Sequence, residues 1–297
     1  MADLGVVIVS HQSAGHLESC VESLRGHSGS AALRVVVSDS GSTDGVDEVA
    51  RRLELTYLPG PNRGFGAGVN RAMADPALDG ARWVLLVNPD VRMVDGSLSD
   101  LVERCSGHPR TALATVRTVN EEGGLVHNLG RRVSLREWAS LPFTSNGSDW
   151  FQEPERYAAD GTAAWVAGSF LLLRRDVFEE LGGFDERFFL YSEEVDLCTR
   201  ARAAGWEVRY VPQATVMHLI ARRRGDPHQE RLLAWARLVY LAKWYRGYER
   251  ALMRAFRALY IARRIVSFAR YRQPWAGDWA ELAGTLRFRP ERYGPVR

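Results

Sequence analysis

The chain has 297 residues, 46% hydrophobic and 25% charged, the make-up of a globular protein of one large domain or one domain with an appendage. The net charge of +3 hides an asymmetry: residues 221–297 hold 18 Arg or Lys against 6 Asp or Glu, or +12, which leaves −9 on residues 1–220. Three cysteines (Cys20, Cys105, Cys198), odd in number and without a CxxC spacing, argue against a disulfide framework or a zinc site and for a reducing compartment. Residues 1–30 lack a basic segment leading into an apolar one, and no run approaches the roughly 18 apolar residues of a spanning helix, so a cytoplasmic protein without a signal peptide is expected.

In chain order, the β-branched run LGVVIVS (Leu4–Ser10) reads as a fully buried strand. Leu17, Cys20, Val21 and Leu24 follow at i, i+3, i+4 and i+7, the stripe of an amphipathic helix. LRVVVSDS is a second buried strand with Asp39 at its end, followed by helix-like VDEVARRL and a weaker strand, LTYLP. GAGVNRAMA is helical, and RWVLLVNPD is a third strong strand ending at Asp90. A helix over Ser97–Cys105 precedes the strand TALATVRTV. Strands alternating with helices predict a mostly parallel sheet.

Residues 120–163 lose this rhythm: NEEGG, LPFTSNGSDW and YAADGT are turn-rich and predict a long surface excursion. Regular structure resumes with WVAGSFLLLRRDVFEELGGF, a strand and then a helix stopped by Gly182-Gly183, and WEVRYVP is a further strand. After His218 the chain turns helical and basic. The expected division is therefore a catalytic domain over 1–220 and a basic, mainly helical region over 221–297.

Polar residues stand at the strand ends: Ser10-His11 after the first, Asp39-Ser40 after the second, Asn88-Pro89-Asp90 after the third. Singly, each is an ordinary turn former. Three such ends together indicate a site, because ligands of open α/β sheets lie beyond the carboxyl ends of the strands. A dinucleotide fold would need GxGxxG directly after the first strand, where VSHQSAG stands instead. The later NRGFGAG, with Gly64, Gly66 and Gly68, opens a helix and suits either a phosphate or a close backbone approach.

Taken in order, VVIVSHQSAGHLESCVESL, VVVSDSGSTDG, NRGFGAGVNRAM, LLVNPDV, GSFLLLRRDVFEELGGFDERFFLYSEEVDLCTRARAAGW and YVPQATVMH resemble glycosyltransferase family 2, most closely its bacterial rhamnosyltransferase-like members, over residues 4–218. The resemblance implies an α/β GT-A fold: a Rossmann-like, nucleotide-binding, mostly parallel sheet, here with a C-terminal helical extension. It implies an inverting, metal-dependent transfer of a sugar, L-rhamnose from dTDP-rhamnose, to a saccharide or polyprenyl-diphosphate-linked acceptor in cell-surface glycan synthesis. A soluble natural-product glycosyltransferase and a nucleotide-sugar-binding protein without catalysis are the alternatives.

Residue by residue, the resemblance implies that Asp39 accepts from the imide N–H of uracil or thymine, with Ser10, His11, Ser40, Asp44, Asn62, Gly64 and Asn88 around the nucleotide-sugar. Asp90 would hold Mg²⁺ or Mn²⁺ on the donor diphosphate, with His218 as a further ligand or else a locally satisfied strand-end histidine. Asn88 replaces the first acid of the family's Asp-x-Asp, and His11-Gln12 replaces its aromatic and Asn. Arg222, Arg223 and Arg224 would neutralise the leaving diphosphate or lie in solvent or against lipid headgroups.

The stretch FDERFFLYSEEVDLCTR crowds five acids among aromatics. The family's base is the second acid of a Glu-Asp pair opening a helix, which implies Glu194, with Glu193 sharing or supporting the role. Asp196 would position Arg200 or Arg202, and Asp185 would support its turn. The plainer reading makes Ser192 an N-cap with both glutamates on the helix dipole. Trp165 and Gly168 would shape the acceptor side, Trp165 as a sugar platform or as a core residue.

In the tail, Lys243, Arg246, Arg250, Arg254 and Arg257 recur at i+3 or i+4, while Tyr248, Leu252, Phe256 and Leu259 fall on other faces. This fits a peripheral contact with anionic lipid at the inner face of the plasma membrane, or helices packed on the domain or on a second subunit as a homodimer. Nucleic-acid binding would rest on charge alone and is not expected.

Overall fold

The β-branched run at the N-terminus becomes β1 (Asp3–Ser10), paired along both edges, with Val6, Val7 and Ile8 buried. β2 (Ala32–Ser40) and β4 (Trp83–Val87) pair with it in parallel, and β3 (Thr56–Gly60) continues outward from β2. The computed structural model describes residues 3–140, 150–219 and 227–270, with 279, 282, 283, 285 and 286 near the C-terminus.

Three helices connect these strands: α1 (Ala14–Gly26), α2 (Val46–Arg52) and α3 (Phe65–Met73). α1 buries the stripe Leu17, Cys20, Val21 and Leu24 that its spacing predicts. The glycines of α3 let it approach the sheet: a Cβ on Gly68 would stand 2.8 Å from Val9 Cγ1, and one on Gly66 2.9 Å from Phe184 Cβ. Of the two uses open for this Gly-rich run, close approach of backbone is the one these contacts account for.

Beyond β4 come β5 (Val91–Asp95), α4 (Leu98–Ser106), β6 (Thr111–Val119), β10 (Phe170–Arg174), α6 (Arg175–Glu180), α7 (Glu193–Ala203) and β11 (Glu207–His218). Between β6 and β10, two-residue strands β7 (Leu129–Gly130) and β9 (Trp165–Val166) pair with each other, and β8 (Gly161–Thr162) pairs with β11. The described residues form a nine-stranded sheet in the order β3-β2-β1-β4-β10-β6-β11-β5, with β8 on β11. Pairing is parallel across β3-β2-β1-β4 and in β6-β11, but antiparallel for β10 with both neighbours and for β5 with β11. A parallel neighbour requires a crossover. β10 instead enters from the excursion, so the sheet is mixed beyond β4.

Two strands differ from the sequence expectation. β5, with its five residues, follows the Asn88-Pro89-Asp90 turn and is too short for periodicity to reveal. β11 does not stop at Pro212: its register with β6 shifts between Val211 and Thr215, where proline cannot donate to the ladder, and pairing then resumes to His218. Past that bulge β11 also pairs with β5, which sets His218 opposite Val91.

The chain divides into two compact units, residues 1–131, 150–186 and 194–221, which hold the sheet, and residues 132–149, 187–193 and 222–297. The second unit therefore takes in two segments from before residue 221. Its described helices are α5 (Leu135–Ser140), α8 (Pro227–Trp244) and α9 (Gly247–Arg270). α5 packs on α9, and the Tyr245 hydroxyl donates to the Val133 carbonyl. Leu238, Tyr240 and Leu241 of α8 and Met253, Ile261 and Ile265 of α9 are buried. The basic residues of α9 do not all face water: Arg257 is buried, its guanidinium 5.2 Å from the Tyr260 ring centre. Among the described residues, no helix is long and apolar enough to cross a membrane.

Candidate active site

The loops after β1 and β2 are held to each other by side chains. His11 Nδ1 lies 2.9 Å from the Ser40 carbonyl oxygen, and the Gln12 amide donates to Ser42 Oγ at 2.9 Å. Gln12 Nε2 donates to Thr43 Oγ1 at 3.2 Å, and the Ala14 amide donates to Asp44 Oδ2 at 2.7 Å. Ser13 precedes α1 without capping it through its side chain, so Asp44 satisfies an amide of the first turn from the neighbouring loop. That structural work is the position the structure gives to Asp44, which the sequence reading put among the nucleotide contacts. Ser10, opposite Asp39 in the strand register, is buried with its hydroxyl 2.7 Å from Ser13 Oγ. The His11 ring is anchored by one nitrogen and otherwise exposed.

Asp39 is 2% exposed and bound on several sides. Its Oδ2 accepts from the Ser42 amide at 3.0 Å and from the Tyr57 hydroxyl at 3.1 Å, and Oδ1 accepts from the Ser42 hydroxyl. Arg71 on α3 fixes the backbone, donating to the Asp39 carbonyl at 2.6 Å and to Ser38 Oγ at 2.8 Å. Burial, and then the bond to Asp39, push the Tyr57 phenol up to about 12. The Arg71 guanidinium is held below its usual value by burial, against the opposing pull of the Asp39 carboxylate. Asn62 is exposed and accepts from the Gly64 amide at 3.2 Å, and Gly64 takes φ 103° before α3.

Asp90 and His218 meet, with Asp90 Oδ2 3.2 Å from His218 Nε2, and both side chains are largely buried. The Leu219 amide donates to the Asp90 carbonyl at 3.0 Å, so the end of β11 is fastened to the turn after β4. A carboxylate oxygen and an imidazole nitrogen at that spacing suit adjacent ligands of a Mg²⁺- or Mn²⁺-sized cation with bonds of about 2.1 Å. Among the described residues there is no group of three or more His, Cys, Asp or Glu able to hold a metal. The pair therefore offers a partial ligand set of the kind completed by substrate phosphates and water.

The same turn reaches the loop before β10. The Asn88 amide donates to the Ser169 carbonyl at 2.9 Å, and next to Ser169 a Cβ on Gly168 would stand 3.6 Å from Glu194 Cβ. Glu194 is half-buried at the start of α7, and Glu193 is 5% exposed. Tyr191 and Ser192, just before α7, have φ of 71° and 64°. An N-cap serine has extended backbone, so the ordinary N-cap reading of Ser192 does not hold. Left-handed non-glycine residues are costly and collect at functional sites. Asp196, fully buried, accepts from Arg200 Nε at 2.8 Å, and Arg200 also donates to the Leu181 carbonyl at 2.7 Å. Of the two partners expected for Asp196, Arg200 is the one in contact.

Trp165 is corrected from a sugar platform to a core residue. It is 6% exposed, its indole N–H donates to the Arg131 carbonyl at 2.7 Å, and Trp150 lies 4.2 Å from its ring centre. Gly130 packs so closely on the indole that a Cβ would clash with it. Arg222, Arg223 and Arg224 lie outside the described residues. All three cysteines are free and buried, and burial pushes each thiol up to about 12, which suits packing and not redox chemistry.

Sequence reasoning missed Tyr57, Ser42 and Arg71. Ser42 sits three residues after Asp39, an Asx-turn spacing that could have exposed it. Tyr57 and Arg71 reach Asp39 only through strand register and helix packing, for which the sequence has no local signal.

The family model described as glycosyltransferase-like family 2 matches residues 2–247. The N-acetylglucosaminyl-diphospho-decaprenol L-rhamnosyltransferase of Mycobacterium tuberculosis (strain ATCC 25618 / H37Rv) is 33% identical over 276 residues, 84% of this chain and 88% of that protein. The rhamnosyltransferase WbbL of Escherichia coli (strain K12) is 27% identical over 221 residues, 72% of this chain and 82% of that one. Among solved structures, the mannosyltransferase PcManGT from Pyrobaculum calidifontis, in complex with GDP-Man and Mn²⁺, superposes with TM-score 0.55 at 15% identity, over 95% of this chain and 84% of that chain. GalNAc-T7 with UDP, GalNAc and Mn²⁺ gives TM-score 0.61 at 15% identity, over 89% of this chain but 51% of that one, so the chain spans about half its length. The structural neighbours share the GT-A fold.

Proposed function

The chain belongs to glycosyltransferase-like family 2 and is a nucleotide-sugar-dependent glycosyltransferase, and on that premise we propose that it transfers L-rhamnose from dTDP-rhamnose, with inversion, to a polyprenyl-diphosphate-linked saccharide in cell-surface glycan synthesis. The two rhamnosyltransferases among its relatives support the sugar, and the diphospho-decaprenol in the name of one supports the acceptor. The observation that carries the proposal is the Asp90–His218 pair, tied through Asn88 and Ser169 to the loop beside Glu194.

In this reading the nucleotide lies across the loops after β1 and β2, with His11 beside the base and Asp39 accepting its imide N–H. Asp90 and His218 would hold Mg²⁺ or Mn²⁺, which neutralises charge on the departing diphosphate when bound. Glu194 takes the proton from the acceptor hydroxyl as that oxygen attacks the anomeric carbon from the face opposite the diphosphate. Glu193 stands beside it and can share the role. Gly168 leaves room for the acceptor in front of Glu194.

Acceptor access at a membrane face is supported by α9, where Tyr248, Leu252, Leu259 and Val266 are 72%, 42%, 54% and 70% exposed at spacings of four and seven. Such a stripe suits the acyl boundary of an anionic bilayer. A rhamnosyl-transfer assay on a lipid-diphosphate acceptor tests the whole reading. Glu194→Gln is expected to lower turnover about 10²- to 10⁴-fold with dTDP affinity intact, while Asp90→Ala should abolish the gain in dTDP affinity on adding Mn²⁺. A fully active Glu194→Gln would refute the base assignment, and failure to float with anionic vesicles would refute the membrane contact.

A further inference from the structure

We infer that Tyr57 determines which nucleobases the donor pocket accepts, by fixing the orientation of the Asp39 carboxylate; this rests on the reading of that pocket as the nucleotide site. An ionised carboxylate has about four lone-pair positions and donates nothing. On Asp39, both positions of Oδ2 are filled, by the Tyr57 hydroxyl at 3.1 Å and the Ser42 amide at 3.0 Å. Oδ1 carries the Ser42 hydroxyl and keeps one position. Arg71 holds the backbone of the same residue through its carbonyl, so main chain and side chain are fixed by different partners.

The group that remains can only accept. It favours a base edge presenting an imide N–H, as thymine, uracil and guanine do, and disfavours cytosine, whose N3 is itself an acceptor. The Ser42 amide is backbone and always donates. The Tyr57 phenol, pushed up to about 12, also stays a donor across any ordinary assay pH. Among the described residues, Tyr57 is thus the side chain that assigns Oδ2 inward without taking part in the Oδ1 contact.

This assignment has a consequence for an amide at position 39. In Asp39→Asn the two inward donors require the carbonyl oxygen at the Oδ2 place, which turns the NH₂ group toward the base. The pocket then donates where it formerly accepted, and cytosine becomes the better match. Without the Tyr57 hydroxyl only the Ser42 amide still demands the carbonyl oxygen at that place, so the amide is held less firmly and the reversal weakens.

The experiment is calorimetric titration of the full chain with dTDP and CDP, in the wild type, Tyr57→Phe, Asp39→Asn and the double variant, with circular dichroism confirming each fold. Wild type is expected to prefer dTDP at least about tenfold, the worth of one good hydrogen bond. Tyr57→Phe should lose most of that preference through weaker dTDP binding, with CDP affinity unchanged. Asp39→Asn should prefer CDP, and the double variant should do so clearly less. A preference unaltered by Tyr57→Phe, or the same reversal in the double variant as in Asp39→Asn, overturns the inference while leaving the pocket as the nucleotide site. Absence of binding by either nucleotide to the wild type overturns the pocket reading and this inference with it.

Discussion

In the proposed reading, the donor side and the acceptor side are built in different ways. The donor side joins the tips of two loops by hydrogen bonds at or near the surface, His11 to Ser40, Gln12 to Ser42 and Thr43, Ala14 to Asp44, while Asp39 itself is buried. The acceptor side is assembled from buried groups: the Asp196–Arg200 pair, Trp165 wedged between Trp150 and Gly130, and the left-handed Tyr191-Ser192 step before α7. Loops joined by surface bonds can open to admit a ligand at small cost, because water replaces each bond. A buried ion pair has no such substitute. The difference teaches that the tips of the loops after β1 and β2 can open more readily than the start of α7 can shift.

Three measurements would break or sharpen that contrast. The largest effect belongs to the acceptor side: Arg200→Met leaves Asp196 buried without its i+4 cation and should lower stability by about 3–5 kcal/mol in chemical denaturation. A loss below about 1 kcal/mol, the range of surface pairs, would mean that α7 is not anchored by this bond. Asp44→Ala on the donor side should cost only about 1 kcal/mol, a lost helix-end bond, while accelerating nucleotide dissociation in stopped-flow. Equal losses in the two variants would erase the distinction.

The smallest effect is shared. Cys20 lies under the donor turn, its thiol 3.6 Å from the Asn88 carbonyl, and Cys198 lies within α7. Both thiols are raised from 9.0 to about 12 by burial, so above pH 9 the unfolded chain releases protons that the folded chain keeps. The sign follows: this contribution is fully present below pH 9 and is lost as pH rises toward 12. The melting temperature should fall steadily over that interval, and at pH 8 no thiol should react until the chain unfolds. Reaction of Cys198 in the native state would show the acceptor side to be the looser one.

Much of this molecule was legible before folding. The run LGVVIVS reads as a buried strand because it is short and β-branched, which favours a strand over a buried helix, and the α1 stripe is buried as its spacing requires. The strand-end residues Asp39 and Asp90 were found because a polar group after a buried strand is conspicuous. The bond from the Ala14 amide to Asp44 was not, since an aspartate after a Gly-Ser-Thr turn carries no mark of the neighbouring helix. Trp165 likewise carries no mark of which surface will cover its ring.

The sequence by itself therefore determined the parallel first half of the sheet, the helix stripes and the strand ends where polar residues gather, because burial and backbone conformation are local demands written in periodicity. The tertiary structure alone decided that β11 passes its bulge at Pro212 and sets His218 against Asp90, that Tyr57 holds Asp39, and that Arg200 is the partner of Asp196. These are pairings between distant segments. Their energy depends on strand register and packing, which no local run of residues specifies.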